Sequence, residues 1–339
     1  MSARPPETAW LATQVARLFF DGQHSKVEIA ARLGISRFRV ARLIDQALND
    51  GLVRIEYRDV EPHDRRLAAA IERRWELDLC IVTADGGAPD AIERVARAAG
   101  DLVGEVVTAG QVVGIAWGST LARVVAAVPR RRDASLTVVQ LAGSSSRLDA
   151  GRDASDLART LADRLGAAHH RLFAPTFVAR PELRDALLRE PEIAAAVDRF
   201  ARLDLAIVGI GAVSADRLTG GSALLASGVL DEREIGDLVA RGAVGDLVVH
   251  PFDRAGRFVA PELERRAVAV GIEQLRAAGR VLAVAAGARK AQAIRGALES
   301  GVVRLLVTDS AAAEAIVAEE GRPGKAGGRA SRRRTGALS

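Results

Sequence analysis

Residues 26–46, KVEIAARLGISRFRVARLIDQ, carry two short helical patterns in succession. Ile29, Ala30 and Leu33 fall on one face of the first and Val40, Leu43 and Ile44 on one face of the second, with Ile35 between them. Gly34 can adopt the left-handed conformation that ends a helix, and Ser36 is a natural N-cap for the next one. The spacing predicts a helix-turn-helix, whose second helix lies in the major groove of DNA. Before it, residues 9–21 repeat Leu11, Val15, Leu18 and Phe19 at helical spacing and predict a supporting helix closed by Asp21 and Gly22. After it, Asn49-Asp50-Gly51 is a stop signal, and residues 52–57 alternate like a strand. Three helices and a short strand make the winged variant of the motif the expectation.

A polar linker with Pro62 follows at residues 58–63. The next stretch, 64–77, predicts a helix with Leu67, Ile71 and Trp75 on one stripe, available to the second domain or to another subunit. From Leu79 onward, apolar runs alternate with helical stretches: 79–83, 111–117, 136–141, 171–174, 203–210, 246–250, 280–285 and 303–308. Runs without polar alternation are strands buried on both faces, which predicts an α/β fold with a mainly parallel sheet flanked by helices. Ligands of such sheets bind beyond the carboxyl ends of the strands. Residues 320–339 are Gly-rich and basic with almost no apolar content, and read as a disordered, solvated tail. The expected division is a DNA-binding domain at 1–58, a larger domain at 59–318 and a tail at 319–339.

Composition sharpens this picture in three places. Hydrophobic residues make up 49% of the chain but aromatics only 4%, so Ala, Val, Leu and Ile must fill the core. The net charge of +5 is modest, yet residues 26–42 hold Lys26, Arg32, Arg37, Arg39 and Arg42 against Glu28 alone. Ser36, Arg37, Phe38 and Arg42 fall on the groove-facing side of the second helix. There Arg pairs with guanine and Phe38 meets a thymine methyl, while Arg39 and Lys26 neutralise phosphates. One cysteine, Cys80, excludes an internal disulfide and suits a reducing cytoplasm. No leader-like segment and no run of membrane-spanning length is present, so a cytoplasmic protein with no membrane partner is expected.

Four strand ends are candidates for chemistry. Gly118-Ser119-Thr120 enters a helix and offers free backbone N–H groups, two hydroxyls and a positive helix end, the requirements for phosphate, although an ordinary capped helix looks the same. Gln140-Leu141-Ala142-Gly143 opens into a polar loop through Ser146. Gly209-Ile210-Gly211-Ala212 resembles the start of a dinucleotide fingerprint but lacks its third glycine at Ser214, which argues against a nicotinamide site. The fourth, residues 285–290, ends in Lys290. The chain has only three lysines, Lys26, Lys290 and Lys325, so Lys290 is alone in the second domain up to the tail. Asp246 and Asp253 are carboxylates able to read sugar hydroxyls or to serve turns. His169 and His170 face opposite ways on a strand and have no third ligand at useful spacing, so no metal is expected, and no cofactor.

The order of these motifs resembles the SorC family of bacterial transcriptional regulators, related to the DeoR-type sugar regulators. The stretches that carry the likeness are EIAARLGISRFRVARLI, QALNDGLVRI, GIAWGST, VVQLAG, GIGA, GAVGD, AAGARKAQAI and LLVTDSAAA, over roughly residues 10–318. The resemblance implies a DNA-binding domain joined to an effector domain with a fold similar to glucosamine-6-phosphate deaminase and ribose-5-phosphate isomerase. It implies a homo-oligomer, dimer or tetramer, that binds operator DNA and responds to a sugar or phosphosugar. The implied effector site is Gly118, Ser119 and Thr120, faced by Gly287 and Lys290, near Gln140, Gly143 and Asp246. The family's paired glycines before the lysine are here Ala286-Gly287, and residues 144–153 also depart from its pattern. The rival is a phosphosugar isomerase or deaminase with an appended helical domain. Asp246 is the one carboxylate on offer as a base for it and no second acid/base constellation is found, so no catalytic residue is assigned.

Overall fold

Ser25 begins the helical hairpin by exchanging hydrogen bonds with Glu28: its Oγ accepts the Glu28 N–H at 3.2 Å, and its own N–H donates to Glu28 Oε2 at 2.7 Å. The computed structural model describes residues 6–54, 63–84, 91–145, 151, 153–213 and 221–318. These fall into two compact units, 1–60 and 61–339. The first holds α1 (Pro6–Phe20), α2 (Lys26–Leu33) and α3 (Arg37–Asn49). Gly34 ends α2 at φ 63°, and Ser36 caps α3 by accepting the Arg39 N–H at 3.2 Å. A small core joins Ala12, Val15 and Ala16 of α1 to Ile29 of α2 and to Val40, Leu43, Ile44 and Ala47 of α3.

The expected wing strand is not formed where it can be seen. Residues 52–54 are bends and irregular chain, and 55–57 lie outside the described residues, as does the tail. The physical reason is local. The Val53 N–H is spent on the Ala47 carbonyl at 3.1 Å, and Val53 packs against the small core, so this segment closes the helix end.

The second unit is built on strands β1 (Leu79–Thr83), β2 (Val112–Ile115), β3 (Thr137–Gln140), β4 (Ala168–His170), β5 (Leu205–Ala212), β6 (Ala243–Leu247), β7 (His250–Asp253), β8 (Arg280–Val284) and β9 (Leu305–Asp309). Their order is β1-β9-β8-β5-β2-β3-β4, parallel throughout, with β6 and β7 attached to the far end of β5. Helices α4 (Arg65–Trp75), α5 (Ala91–Val106), α6 (Ser119–Ala127) and α7 (Ala154–Leu165) lead the cover. Leu67 and Ile71 of α4 are buried in the main core, so that stripe packs within its own unit.

Two expected strands are corrected. Residues 171–174 are irregular, and β4 lies just before them, because the Leu172 carbonyl takes the Gln140 side chain and the Ala174 N–H rather than a ladder partner. The run 246–250 is a hairpin rather than one strand: β6 and β7 are antiparallel, Leu247 opposes His250, and Val248 sits between them at φ 59°.

The feature that shapes the site is the length of β5. Its first five residues pair with β8, while Ile210, Gly211 and Ala212 run past the sheet and pair antiparallel with Leu247, Asp246 and Gly245. A Cβ on Gly211 would stand 2.1 Å from Asp246 Oδ1, so only glycine fits under that carboxylate. Gly211→Ala is expected to cost roughly 1–3 kcal/mol of stability by overpacking. Thermal unfolding checks this, and an unchanged midpoint would mean that the carboxylate is not seated there.

Candidate functional site

A cavity of about 280 Å3 opens beyond the carboxyl ends of β2 and β5, where the connections leave for opposite sides of the sheet. One wall is residues 116–121. Gly118 opens α6; among the described residues no side chain caps it, and Ser119 and Thr120 of its first turn line the cavity. The Trp117 indole N–H donates to the Val248 carbonyl at 3.1 Å and ties this wall to the β6–β7 turn. The facing wall holds Gly209, Ile210, Gly211, Ser222, Asp246 and Lys290.

Three polar side chains set the electrostatics. Asp246 is buried, and Ser222 Oγ donates to its Oδ1 at 2.5 Å. The same Ser222 oxygen accepts the Leu225 N–H and caps the short helix Ala223–Ala226. Burial pushes the Asp246 carboxyl up to about 6, against the opposing pull of the Ser222 hydroxyl and the Lys290 charge. Lys290 Nζ donates to the carbonyls of Ile210 at 2.7 Å and Gly221 at 3.4 Å. Burial lowers its pKa, while the Asp246 charge works the other way. The arrangement combines helix N–H donors, hydroxyls, one ammonium and one carboxylate, which suits an anionic, polyhydroxylated ligand.

In the first unit, α3 buries Val40, Leu43, Ile44 and Ala47 and leaves Ser36, Arg37, Phe38, Arg39 and Arg42 exposed. Phe38 is 80% exposed, large for an aromatic with no partner to cover it. Phe38 and Arg42, four residues apart, share the centre of the outward face, with Arg37 and Arg39 on its flanks. Ser36 spends its oxygen on the helix cap. Lys26 starts α2, its ammonium 5.7 Å from the centre of the Phe19 ring.

The family described as "Putative sugar-binding domain" matches residues 62–318, about three quarters of the chain. The chain belongs to this family. It is a SorC-family transcriptional regulator with a sugar-binding domain, as the relatives across nearly its full length agree. The erythritol catabolism regulatory protein EryD of Brucella abortus is 28% identical over 312 residues, covering 91% of this chain and 96% of that protein. The deoxyribonucleoside regulator of Bacillus subtilis is 26% identical, covering 92% and 98%. The full-length sorbitol operon regulator SorC from Klebsiella pneumoniae superposes with a TM-score of 0.69 at 23% identity, over 92% of this chain and 99% of that one, which shows the shared fold.

Of the effector residues that the resemblance implied for this SorC-family regulator, Gly118, Ser119, Thr120, Asp246 and Lys290 line the cavity. Gln140, Gly143 and Gly287 do not. Gln140 donates to the carbonyls of Ala142 and Leu172 at 3.1 Å each, holding two loops together. Gly143 is packed against Ala174 and Pro175, and its N–H donates to the Val268 carbonyl at 2.8 Å. Gly287 gives its N–H to Asp309. Asp253 serves its own turn, accepting from the Ala255 and Arg257 N–H groups and from the Arg257 guanidinium. Ser222 and Val248 also form walls and lay outside every candidate site residue, while Trp117 lay in the first candidate loop without a role of its own. Ser222 carried a usable signal, a serine placed to cap ALLA, and Val248 carried none. Among the described residues no cluster of three His, Cys, Asp or Glu side chains could hold a metal, and no helix is long and apolar enough to cross a membrane. Burial pushes the Cys80 thiol up to about 12, which leaves it unreactive.

The Asp246 shift has a measurable sign. The folded chain holds this proton more tightly than the unfolded one, whose carboxyl titrates near 3.8. Its contribution to stability is therefore greatest below that value and is lost as pH rises through about 6. Asp246→Asn, which cannot titrate, should gain on the wild type by on the order of 2–3 kcal/mol between those limits. Parallel denaturation curves across pH check this; a stability difference that stays flat would contradict it.

Proposed function

We propose that the cavity binds a phosphorylated sugar and that this binding governs recognition of operator DNA by the exposed face of α3. The observation that carries the reading is convergence. The uncapped start of α6, Ser119, Thr120, Lys290 and Asp246 meet in one space of about 280 Å3, enough for a small sugar phosphate and too small for a dinucleotide. The N–H groups of α6 with Ser119 and Thr120 take the phosphate, and Lys290 adds its charge. Asp246 accepts hydrogen bonds from sugar hydroxyls, and Ser222, its proton given to Asp246 and its oxygen to the Leu225 N–H, positions that carboxylate.

On α3, Arg37 and Arg42 contact base edges, Phe38 contacts a thymine methyl, and Arg39 and Lys26 hold phosphates. Ser36 acts through its cap, which sets the angle at which α3 begins. Residues 1–58 form the DNA-reading domain and 59–318 the effector domain. A single motif of this size binds weakly, so the protein acts as a homo-oligomer on repeated half-sites. The effector shifts operator affinity by the difference between its affinities for the two quaternary arrangements. The relatives are named as regulators rather than enzymes, and the cavity is read as a sensor with no catalytic residue. A protein of this kind works in the cytoplasm.

Arg37→Ala should weaken operator binding by roughly 1–3 kcal/mol and relax preference at one base pair, with folding unchanged. A mobility-shift series on single-base operator variants reads this, and an intact sequence preference would count against the assignment. Lys290→Ala should raise the phosphosugar concentration needed for a DNA response by about tenfold or more while sparing DNA binding itself. A thermal-shift screen of sugars against their phosphates on the full chain, followed by operator titration, tests it. Equal response of the variant and the wild type would overturn the role given to Lys290.

A further inference from the structure

Asp309 lies outside the cavity lining, yet it is fastened to the segment that carries Lys290. It ends β9 and is 2% exposed. Its Oδ1 accepts two backbone N–H groups, that of Ala312 at 3.3 Å and that of Gly287 at 2.8 Å. The first bond is an N-cap on the helix Ser310–Ala318 and needs no functional reading. The second is of a different kind. It crosses from β9 to the turn that leaves its parallel neighbour β8.

That turn runs between two anchored points: the Ala285 N–H before it donates to the Val307 carbonyl at 3.2 Å, and Ala291 after it is buried. Ala286 and Gly287 are half-buried, and Ala288 and Arg289 are exposed. Gly287 stands at φ 97° and opens a single 3-10 turn, Ala288–Lys290, closed by the Lys290 N–H on the Gly287 carbonyl at 2.9 Å. Lys290 then reaches from this turn to the Ile210 carbonyl. A long side chain is placed only as well as the backbone at its root, and the Gly287 N–H bond to Asp309 ties the opening of that turn to the buried end of β9.

We infer that Asp309 is a positioning residue of the cavity: by holding the Gly287 N–H it fixes the turn that carries Lys290, and so sets where the ammonium stands. The consequence for ligand binding rests on the effector reading above, whereas the clip between Asp309 and Lys290 does not.

Two substitutions separate the clip from the cap. Ser and Asn both start helices well. Asp309→Ser keeps a capping oxygen but is one bond too short to hold Gly287. Asp309→Asn keeps an oxygen for both N–H groups. With only three lysines in the chain, reductive 13C-methylation of the intact protein gives a lysine spectrum simple enough to follow Lys290 by NMR. In the wild type that signal should titrate below the ordinary lysine range. Asp309→Ser should move it up toward the ordinary lysine range as the side chain loosens into water. The same variant should weaken the phosphosugar response by about tenfold, and Asp309→Asn should match the wild type within about twofold. An unchanged Lys290 titration in Asp309→Ser would reduce Asp309 to a helix cap and overturn the inference. So would an Asn variant as disturbed as the Ser variant. If no phosphosugar acts on the wild type, the effector reading fails, and the NMR comparison still decides the role of Asp309.

Discussion

β5 outruns its parallel neighbour β8 by three residues and β2 by five, and the backbone groups this exposes must find partners. β6 supplies them by running in the opposite direction, and that pairing presses Asp246 onto Gly211. The rest of the cavity depends on this crossing. It fixes a carboxylate above a strand that has no side chain there, brings the Val248 carbonyl within reach of the Trp117 indole, and leaves a gap facing the start of α6. A parallel continuation of the sheet would have filled the same place with apolar side chains.

The electrostatics of the cavity are held in tension. Burial favours a neutral Asp246 and a neutral Lys290, while each charge favours the other. An anion seated at the start of α6 tips both groups toward protonation, because negative charge raises the pKa of carboxyl and ammonium alike. On the proposed reading, uptake of an anionic ligand near pH 6 would draw in a proton. Any effect on DNA is limited to the difference in ligand affinity between the two states of the protein, however tight the binding itself.

The helix-turn-helix was legible because its determinants are local: a capping serine, a left-handed glycine and two apolar stripes within 21 residues. The parallel sheet was legible because its strands are buried on both faces and so read as unbroken apolar runs. The hairpin at Val248 was not, since its turn uses a β-branched residue at φ 59° where the usual code is Gly or Asn. Without a turn residue, 246–250 looks like one strand. β4 is only three residues long, too short for periodicity to place. The strand-end rule led to the right edge of the sheet, but it could not tell loops that face the cavity from loops that pack on each other. Gln140 and Gly143 belong to the second kind. Asp246 and Lys290 stand 44 positions apart, and nothing in their local sequence links them; the family resemblance grouped them, and the fold sets them in one space.

The bare Phe38 ring on α3 has a thermodynamic consequence of its own. Arginine and lysine contacts to phosphate weaken steeply with salt, because their free energy comes largely from released counterions. An aromatic ring moving from water onto a thymine methyl gains free energy by shedding hydration, a quantity nearly indifferent to salt and marked by a negative heat-capacity change. On the proposed reading, operator binding by this face would have two separable components. The guanidiniums would dominate at low ionic strength and govern the rate of encounter, while the ring would leave a residual, sequence-dependent affinity when that attraction has been screened away.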